Sequence, residues 1–278
     1  MEPLDGVRLT AEVGRVIGER VGLMGATARG ESRSTYFLKG QSGEMVLKVS
    51  PAGTAALADQ ERLMRLVNGL RARGYPAPEY LGAGRVDEVV FTVQRRLPGQ
   101  TLEPGPGMAP SPELLQAVLG DLLPAIELQR DAGDLPDPPW PAWLIATVER
   151  GGEGYCLHET MRQSEDTSRL LDRLQRVAGR NWSSPPRRSD LVHFDMSPAN
   201  VLHHSGRLSG VVDWTVPFTG AAQGDRGFDV ASLLFYTYDV PATREPLWEL
   251  AREISGLGWV AVYLCHLGLR QVEWARRH

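Results

Sequence analysis

His193-Phe194-Asp195-Met196-Ser197-Pro198-Ala199-Asn200 reads H-x-D-x-x-x-x-N, and thirteen residues after Asn200 comes Asp213, inside Val211-Val212-Asp213-Trp214. Between them, Asn200-Val201-Leu202-His203-His204 and Leu208-Ser209-Gly210-Val211-Val212-Asp213 flank Ser205-Gly206-Arg207, the pattern of two strands closed by a turn. Such a β-hairpin returns Asp213 to the side of Asn200, and the short step from Asp195 to Asn200 lets one tight loop turn both side chains into a cleft. Two carboxylates and an amide in this order suit phosphoryl transfer from a nucleotide. One carboxylate orients the attacking hydroxyl and receives its proton, while the amide and the second carboxylate hold the Mg²⁺ that neutralises the phosphates. Downstream, Gly224-Asp225-Arg226-Gly227-Phe228-Asp229-Val230-Ala231 sets two more aspartates at the start of a predicted helix.

On these three stretches the chain resembles the aminoglycoside phosphotransferase family, antibiotic and small-molecule kinases with a protein-kinase-like fold. The family pattern is H-G-D-x-x-x-x-N, then an apolar-Asp-Trp, then G-D-x-x-x-D-[LVI]-A. This chain departs from it at Phe194, where the family usually has Gly, and carries no Arg in the catalytic loop. The resemblance implies an α+β, two-lobed fold: a small N-lobe with an antiparallel sheet plus a helix, and a larger, mainly α-helical C-lobe holding the catalytic β-hairpin. It also implies ATP (or GTP) and Mg²⁺ as cofactors, with Asp195 as base and Asn200 and Asp213 as metal ligands. His193 is expected to brace the loop by hydrogen bonds. Asp229 is expected to cap the following helix and to bond the catalytic-loop backbone, and Asp225 and Arg226 are candidates for the acceptor side.

Lysine usage singles out one further residue. Of 30 basic residues only Lys39 and Lys48 are lysines, so a lysine here suggests a position that will not accept a planar guanidinium. Lys48 lies in Met45-Val46-Leu47-Lys48-Val49, an apolar strand where a buried ammonium needs an anionic partner. Nucleotide phosphates are that partner in this reading, whereas Lys39 beside Gly40-Gln41-Ser42-Gly43 reads as a hairpin-tip residue. In the resembling family the helix after this strand supplies an acid to the lysine, and Glu61 fits best.

The elements can be followed along the chain. A leading amphipathic helix is predicted over 8–20, strands over 34–38 and 44–49, and a helix over 54–73 stopped by Gly74-Tyr75-Pro76. Strands follow at 80–84 and 89–94. Arg95-Arg96-Leu97-Pro98-Gly99 then breaks both strand and helix, which marks a boundary between lobe 1–97 and lobe 98–278. By the resemblance this is the hinge, where the Arg95 carbonyl and the Leu97 N–H read the purine edge. Ser111-Pro112-Glu113 opens a helix to about Asp131, and others are predicted over 139–150, 158–178, 228–238, 243–255 and 258–277. The Gly- and hydroxyl-rich run 24–35 precedes the lysine strand, and its position suggests that Ser32 to Ser34 cover the phosphates.

A formal charge of −4 and a pI near 5.9 argue against a nucleic-acid partner. The sequence holds no 18-residue apolar run and no signal-peptide pattern, so a cytoplasmic protein without membrane attachment is expected. Cys156 and Cys265 read as free, reduced thiols. The expected activity is O-phosphorylation of a small-molecule hydroxyl, most naturally on an antibiotic of the aminoglycoside or cationic peptide kind, by a monomer or homodimer. Alternatives are a metabolite kinase of the choline, homoserine or sugar type, a nucleoside-antibiotic kinase, and an inactive nucleotide-binding module. A cationic acceptor calls for an acidic wall, with candidates Glu127, Asp131, Asp134, Asp137, Glu149, Glu153, Glu159, Asp239, Glu245, Glu249 and Glu253.

Overall fold

The computed structural model describes residues 6–27, 34–52, 56–103, 105, 110–152, 156–182, 186–215 and 221–277. Helix α1 (Gly6–Ile17) lies on a five-stranded antiparallel sheet built from β1 (Val21–Thr27), β2 (Ser34–Gly40), β3 (Gly43–Pro51), β4 (Tyr80–Val86) and β5 (Val89–Arg95), with helix α2 (Leu57–Ala72) between β3 and β4. The strand order is β1-β2-β3-β5-β4. Leu9 and Val13, one helical turn apart on α1, bury against Leu38, Met45, Leu47, Val49, Val89, Phe91 and Val93. Because strand side chains alternate between faces, Lys48, paired in register with Thr92, points to the opposite face from Leu47 and Val49.

The second part opens with β6 (Gln100–Thr101) and continues through α3 (Pro112–Ile126), α4 (Ala142–Arg150), α5 (His158–Met161) and α6 (Glu165–Gly179). After these come β7 (Asp190–Leu191), β8 (Val201–His204), β9 (Arg207–Val211), β10 (Gln223–Gly224), α7 (Gly227–Tyr236) and α8 (Pro241–Arg277). Ser111 caps α3 by accepting from the Leu114 N–H. The predicted helix over 158–178 is two helices, α5 ending with Arg162 at its C-cap and α6 capped by Ser164, which accepts from the Thr167 N–H. The two helices predicted after residue 243 are the halves of α8, separated at Gly256 with φ 78°. One prediction fell short near the N-terminus, and another cannot be compared. Met24–Thr27, read as loop, belongs to β1, whose register shifts between Leu23 and Gly25, and residues 28–33 lie outside the described part.

Helix α2 belongs to both parts. Its buried residues Leu63, Val67 and Leu70 share a core with Leu115, Val118 and Leu119 of α3 and Val230 and Leu233 of α7. Asn68 exchanges two 2.9 Å hydrogen bonds with the Tyr80 backbone on one side. On the other, Arg62 pairs with Asp134 and Arg73 donates to the Leu128 carbonyl at 2.5 Å.

Candidate active site

The site grows from the β8–β9 hairpin. Ser205 and Gly206, with φ of 51° and 78°, form its turn, and at the other end the Val212 N–H donates to the Asn200 carbonyl at 2.9 Å. Asn200 closes the single helical turn Pro198–Asn200 just before β8. Gly99 is needed where β6 meets this hairpin: its φ is +109°, and a Cβ there would stand 2.3 Å from the His203 carbonyl oxygen.

Asp195 and Asn200 meet within one turn of chain. Asn200 Nδ2 donates to the Asp195 carbonyl at 2.8 Å and to Asp195 Oδ2 at 3.0 Å. Two acceptors fix the amide's orientation, so its Oδ1 is the atom turned away and suited to a cation. Asp213, at φ 65°, follows directly on Val212, and Lys48 Nζ lies 2.5 Å from its Oδ1 across 165 residues of sequence. The side chain of Lys48 is 11% exposed and that of Asp213 43%, so the carboxylate faces the cleft and the ammonium sits beneath it. Among the described residues there is no cluster of three or more His, Cys, Asp or Glu able to hold a metal. An amide and one carboxylate nonetheless fit Mg²⁺, an oxygen-seeking ion that takes few protein ligands when phosphates supply the rest.

His193 is buried and braces the loop. Its Nδ1 faces the Asp195 N–H at 3.3 Å and must accept, so Nε2 carries the proton that reaches the Val212 carbonyl at 2.8 Å. Asp229 anchors the same loop from below, accepting from the His193 N–H at 2.8 Å, the Phe194 N–H at 3.0 Å and Gln129 Nε2 at 2.7 Å. Burial raises its pKa against the pull of His193 and these donors. It is not a helix cap, since it is the third residue of α7 and Arg226 holds the N-cap position.

Phe194 adopts φ 65°, a left-handed conformation that costs a non-glycine residue roughly 1–2 kcal/mol. Its ring centroid lies 5.3 Å from that of Trp140, 6.0 Å from Trp143 and 5.5 Å from Phe228. Phe228 in turn packs on Tyr263 and on His266. Burial, then Arg270, lowers the His266 pKa to about 3, so its ring is neutral at physiological pH.

Several expectations are corrected here. Glu61 sits on the exposed side of α2 and is not brought to Lys48, because the neighbouring Gln60 takes the buried position. Asp225 and Arg226 do not reach an acceptor, since both are buried. Asp225 accepts from Tyr263 Oη at 2.7 Å and from the Gly227 N–H at 2.9 Å, and burial raises its pKa against these donors. Arg226 bridges Asp190 at 3.0 Å and Glu127 at 2.8 Å. Glu127 thus pairs with Arg226, while Asp131 pairs with Arg187, Asp134 with Arg62, Asp137 with Arg188 and Glu249 with Arg252, with each acid side chain still well exposed. Glu149, Glu159, Asp239, Glu245 and Glu253 are exposed, and Glu153 lies outside the described residues.

Arg95 ends β5, where its N–H donates to the Glu79 carbonyl at 2.8 Å and its guanidinium to the Ser42 carbonyl at 2.7 Å. The Leu97 side chain lies against Gly210, where a Cβ would come within 2.2 Å of it. The Leu97 N–H makes no backbone hydrogen bond among the described residues. Ser34 begins β2 opposite Val49, while Ser32 and Arg33 fall outside the described residues. The residue that sequence reasoning missed is Arg270 of α8, which donates from Nη2 to Asp195 Oδ1 at 2.8 Å.

A sheet-bearing lobe, a helical lobe and an Asp–Asn–Asp constellation with a strand lysine between them define a kinase-like phosphotransferase. Comparison with known proteins agrees. Residues 26–263 match the phosphotransferase enzyme family, APH, and the chain belongs to that family. It is similar to hygromycin-B 4-O-kinase of Escherichia coli, 25% identical over 257 residues that cover 87% of this chain and 71% of that protein. Its fold is that of aminoglycoside phosphotransferase APH(4)-Ia, with a TM-score of 0.67, 23% identity, and coverage of 98% of this chain and 92% of that one. It is likewise similar to APH(3'')-Id of Streptomyces rimosus in complex with ADP and streptomycin, with a TM-score of 0.59, 16% identity, and coverage of 94% and 95%. The expected two-lobed α+β fold and phosphotransferase activity both hold, and the reaction is transfer of a phosphoryl group from ATP to a hydroxyl. No described helix is long and apolar enough to cross a membrane.

Proposed function

We propose that the chain phosphorylates a hydroxyl of an aminocyclitol or aminoglycoside antibiotic, with ATP held between segments 1–97 and 98–278. The observation that carries the reading is the convergence of Lys48, Asp213, Asn200 and Asp195 on one cleft, with Lys48 Nζ 2.5 Å from Asp213 and Asn200 Nδ2 3.0 Å from Asp195 Oδ2. Asp195 orients the acceptor hydroxyl and takes its proton as the bond to phosphorus forms. Lys48 binds the α- and β-phosphates, and the Leu97 N–H and Arg95 carbonyl meet the purine edge. Asn200 Oδ1 and the Asp213 carboxylate are the ligands for Mg²⁺, which supplies charge neutralisation at the phosphates when bound. His193 and Asp229 hold the loop and do not touch substrate.

Hygromycin B heads the acceptor list because the similar kinase carries it in its name. The test is ATP consumption and mass gain of the acceptor across hygromycin B, streptomycin, spectinomycin, cationic peptide antibiotics, nucleosides, choline, homoserine and sugars. Phosphate transfer confined to antibiotics is the expected result. Transfer to a metabolite alone moves the enzyme to another acceptor class, and no transfer to any of them despite ATP binding overturns the reading.

A further inference from the structure

Asp195 has a partner that no motif announces. Arg270 donates from Nη2 to Asp195 Oδ1 at 2.8 Å and from Nη1 to the Phe194 carbonyl at 3.0 Å. Asn200 holds the other carboxylate oxygen, Oδ2, at 3.0 Å. A carboxylate gripped at one oxygen can swing about its Cβ–Cγ bond, whereas one gripped at both has a single orientation. Each oxygen still keeps a second lone-pair direction for an incoming hydroxyl. The planar guanidinium suits this task because two of its N–H groups meet two acceptors on successive residues.

The placement of Arg270 follows from packing. One turn earlier on α8, His266 is buried, with its ring 5.5 Å from Trp143 and 5.6 Å from Phe228, and both of those rings also pack on Phe194. One aromatic group thus locates the loop residue whose carbonyl Arg270 binds and the turn of helix that carries Arg270. The pair is open to the cleft, with the Arg270 side chain 22% exposed and that of Asp195 35%. An acceptor that reaches Asp195 therefore meets a guanidinium as well.

We propose that Arg270 is a positioning residue for phosphoryl transfer that also sets the charge of the acceptor at its reacting end. The proposal rests on the assignment of Asp195 as base. Arg270 keeps the carboxylate turned toward the hydroxyl and fills the place beside Oδ1 that an ammonium of the acceptor would otherwise take. A cationic antibiotic then approaches Asp195 with a neutral, hydroxyl-bearing face, and its amino groups bind elsewhere.

The experiment compares R270Q, R270K, D195N and the double variant D195N/R270Q with the wild type, after thermal melts show that each folds. The substrates are hygromycin B, where the wild type accepts it, and water as the alternative acceptor in ATP hydrolysis. R270Q is expected to lower kcat by about tenfold or more while leaving the KM for ATP within about twofold, and R270K to recover part of the loss. In the D195N background, R270Q should change the rate by less than about twofold, because the group it positions is already gone. An R270Q enzyme with kcat within about twofold of wild type, or an equal loss in both backgrounds, overturns the proposal and leaves the proposed function standing. A wild type no faster than D195N overturns the assignment of Asp195 as base instead, and crystal structures of wild type and R270Q then decide whether Arg270 orients the carboxylate. A carboxylate turned away from its wild-type orientation supports the role of Arg270, and an unchanged one overturns it.

Discussion

The two sides of Asp195 are built from different material. On the proposed nucleotide side, Asn200 and Asp213 flank one hairpin just outside its paired strands and Lys48 comes from the middle of a sheet, so strand pairing brings these polar groups together. On the proposed acceptor side, the loop rests on an aromatic cluster drawn from α4, α7, α8 and the segment before α4, and one arginine from α8 reaches the carboxylate. Backbone hydrogen bonds leave little latitude on the first side, whereas packing volume sets the second. The nucleotide half should therefore respond to substitution as loss of chemistry, and the aromatic cluster of the acceptor half, Arg270 apart, as loss of stability and of acceptor fit.

The largest expected effect is chemical. Asp195→Asn should lower kcat by about 10²–10⁴ with ATP affinity and melting temperature unchanged; a variant that keeps more than about a tenth of wild-type kcat removes Asp195 as base. The second effect belongs to the other half. Phe194→Ala should cost about 3–5 kcal/mol in denaturant unfolding, since a buried ring is lost, and Phe194→Gly about 1 kcal/mol less than that, since glycine relieves the positive φ. Equal losses would show that the loop backbone moves once the ring is gone.

His266 gives a third test, through pH. Its folded pKa near 3 lies below its usual value of 6.5, so the unfolded chain takes up a proton that the folded one refuses. Its contribution to stability is complete above pH 6.5 and is lost as pH falls toward 3, by about 1.4 kcal/mol per pH unit. Between pH 6.5 and 5, His266→Asn should flatten the decline in unfolding free energy by about 2 kcal/mol relative to wild type. Asp225 and Asp229, whose pKa values burial raises, act with the opposite sign and are common to both proteins. Parallel pH curves would mean that the cluster around Phe194 admits water.

The smallest expected effect concerns salt. With several candidate acids already paired to arginines, any exposed carboxylate near the proposed acceptor site would add roughly 0.2–1 kcal/mol toward a cationic acceptor. The acceptor KM should therefore rise only a few-fold between low and high ionic strength. A steep rise would favour the acidic wall.

The same division explains what could be read in advance. The stretch from His193 to Asp213 is legible because its residue types and spacing serve one chemistry, and Lys48 stands out because lysine is rare here. Strand β1 was missed because Gly22 and Gly25 and the shift after Leu23 erase its alternation, and strands as short as β7 and β10 leave no pattern at all. Glu61 faces solvent because one residue along a helix is 100° of rotation, and the buried side at this turn is taken by Gln60. Asp225 and Arg226 look reactive in sequence because charge is visible there and burial is not. Arg270 is one arginine among many, and only the path of α8 brings it to the loop.

Helix α2 is fastened to the sheet through Asn68 and to the helical part through Arg62, Arg73 and its buried leucines. A helix fastened on both flanks carries a shift of the sheet into the helical part, so the distance from Lys48 to Asp213 is set together with the seating of α2.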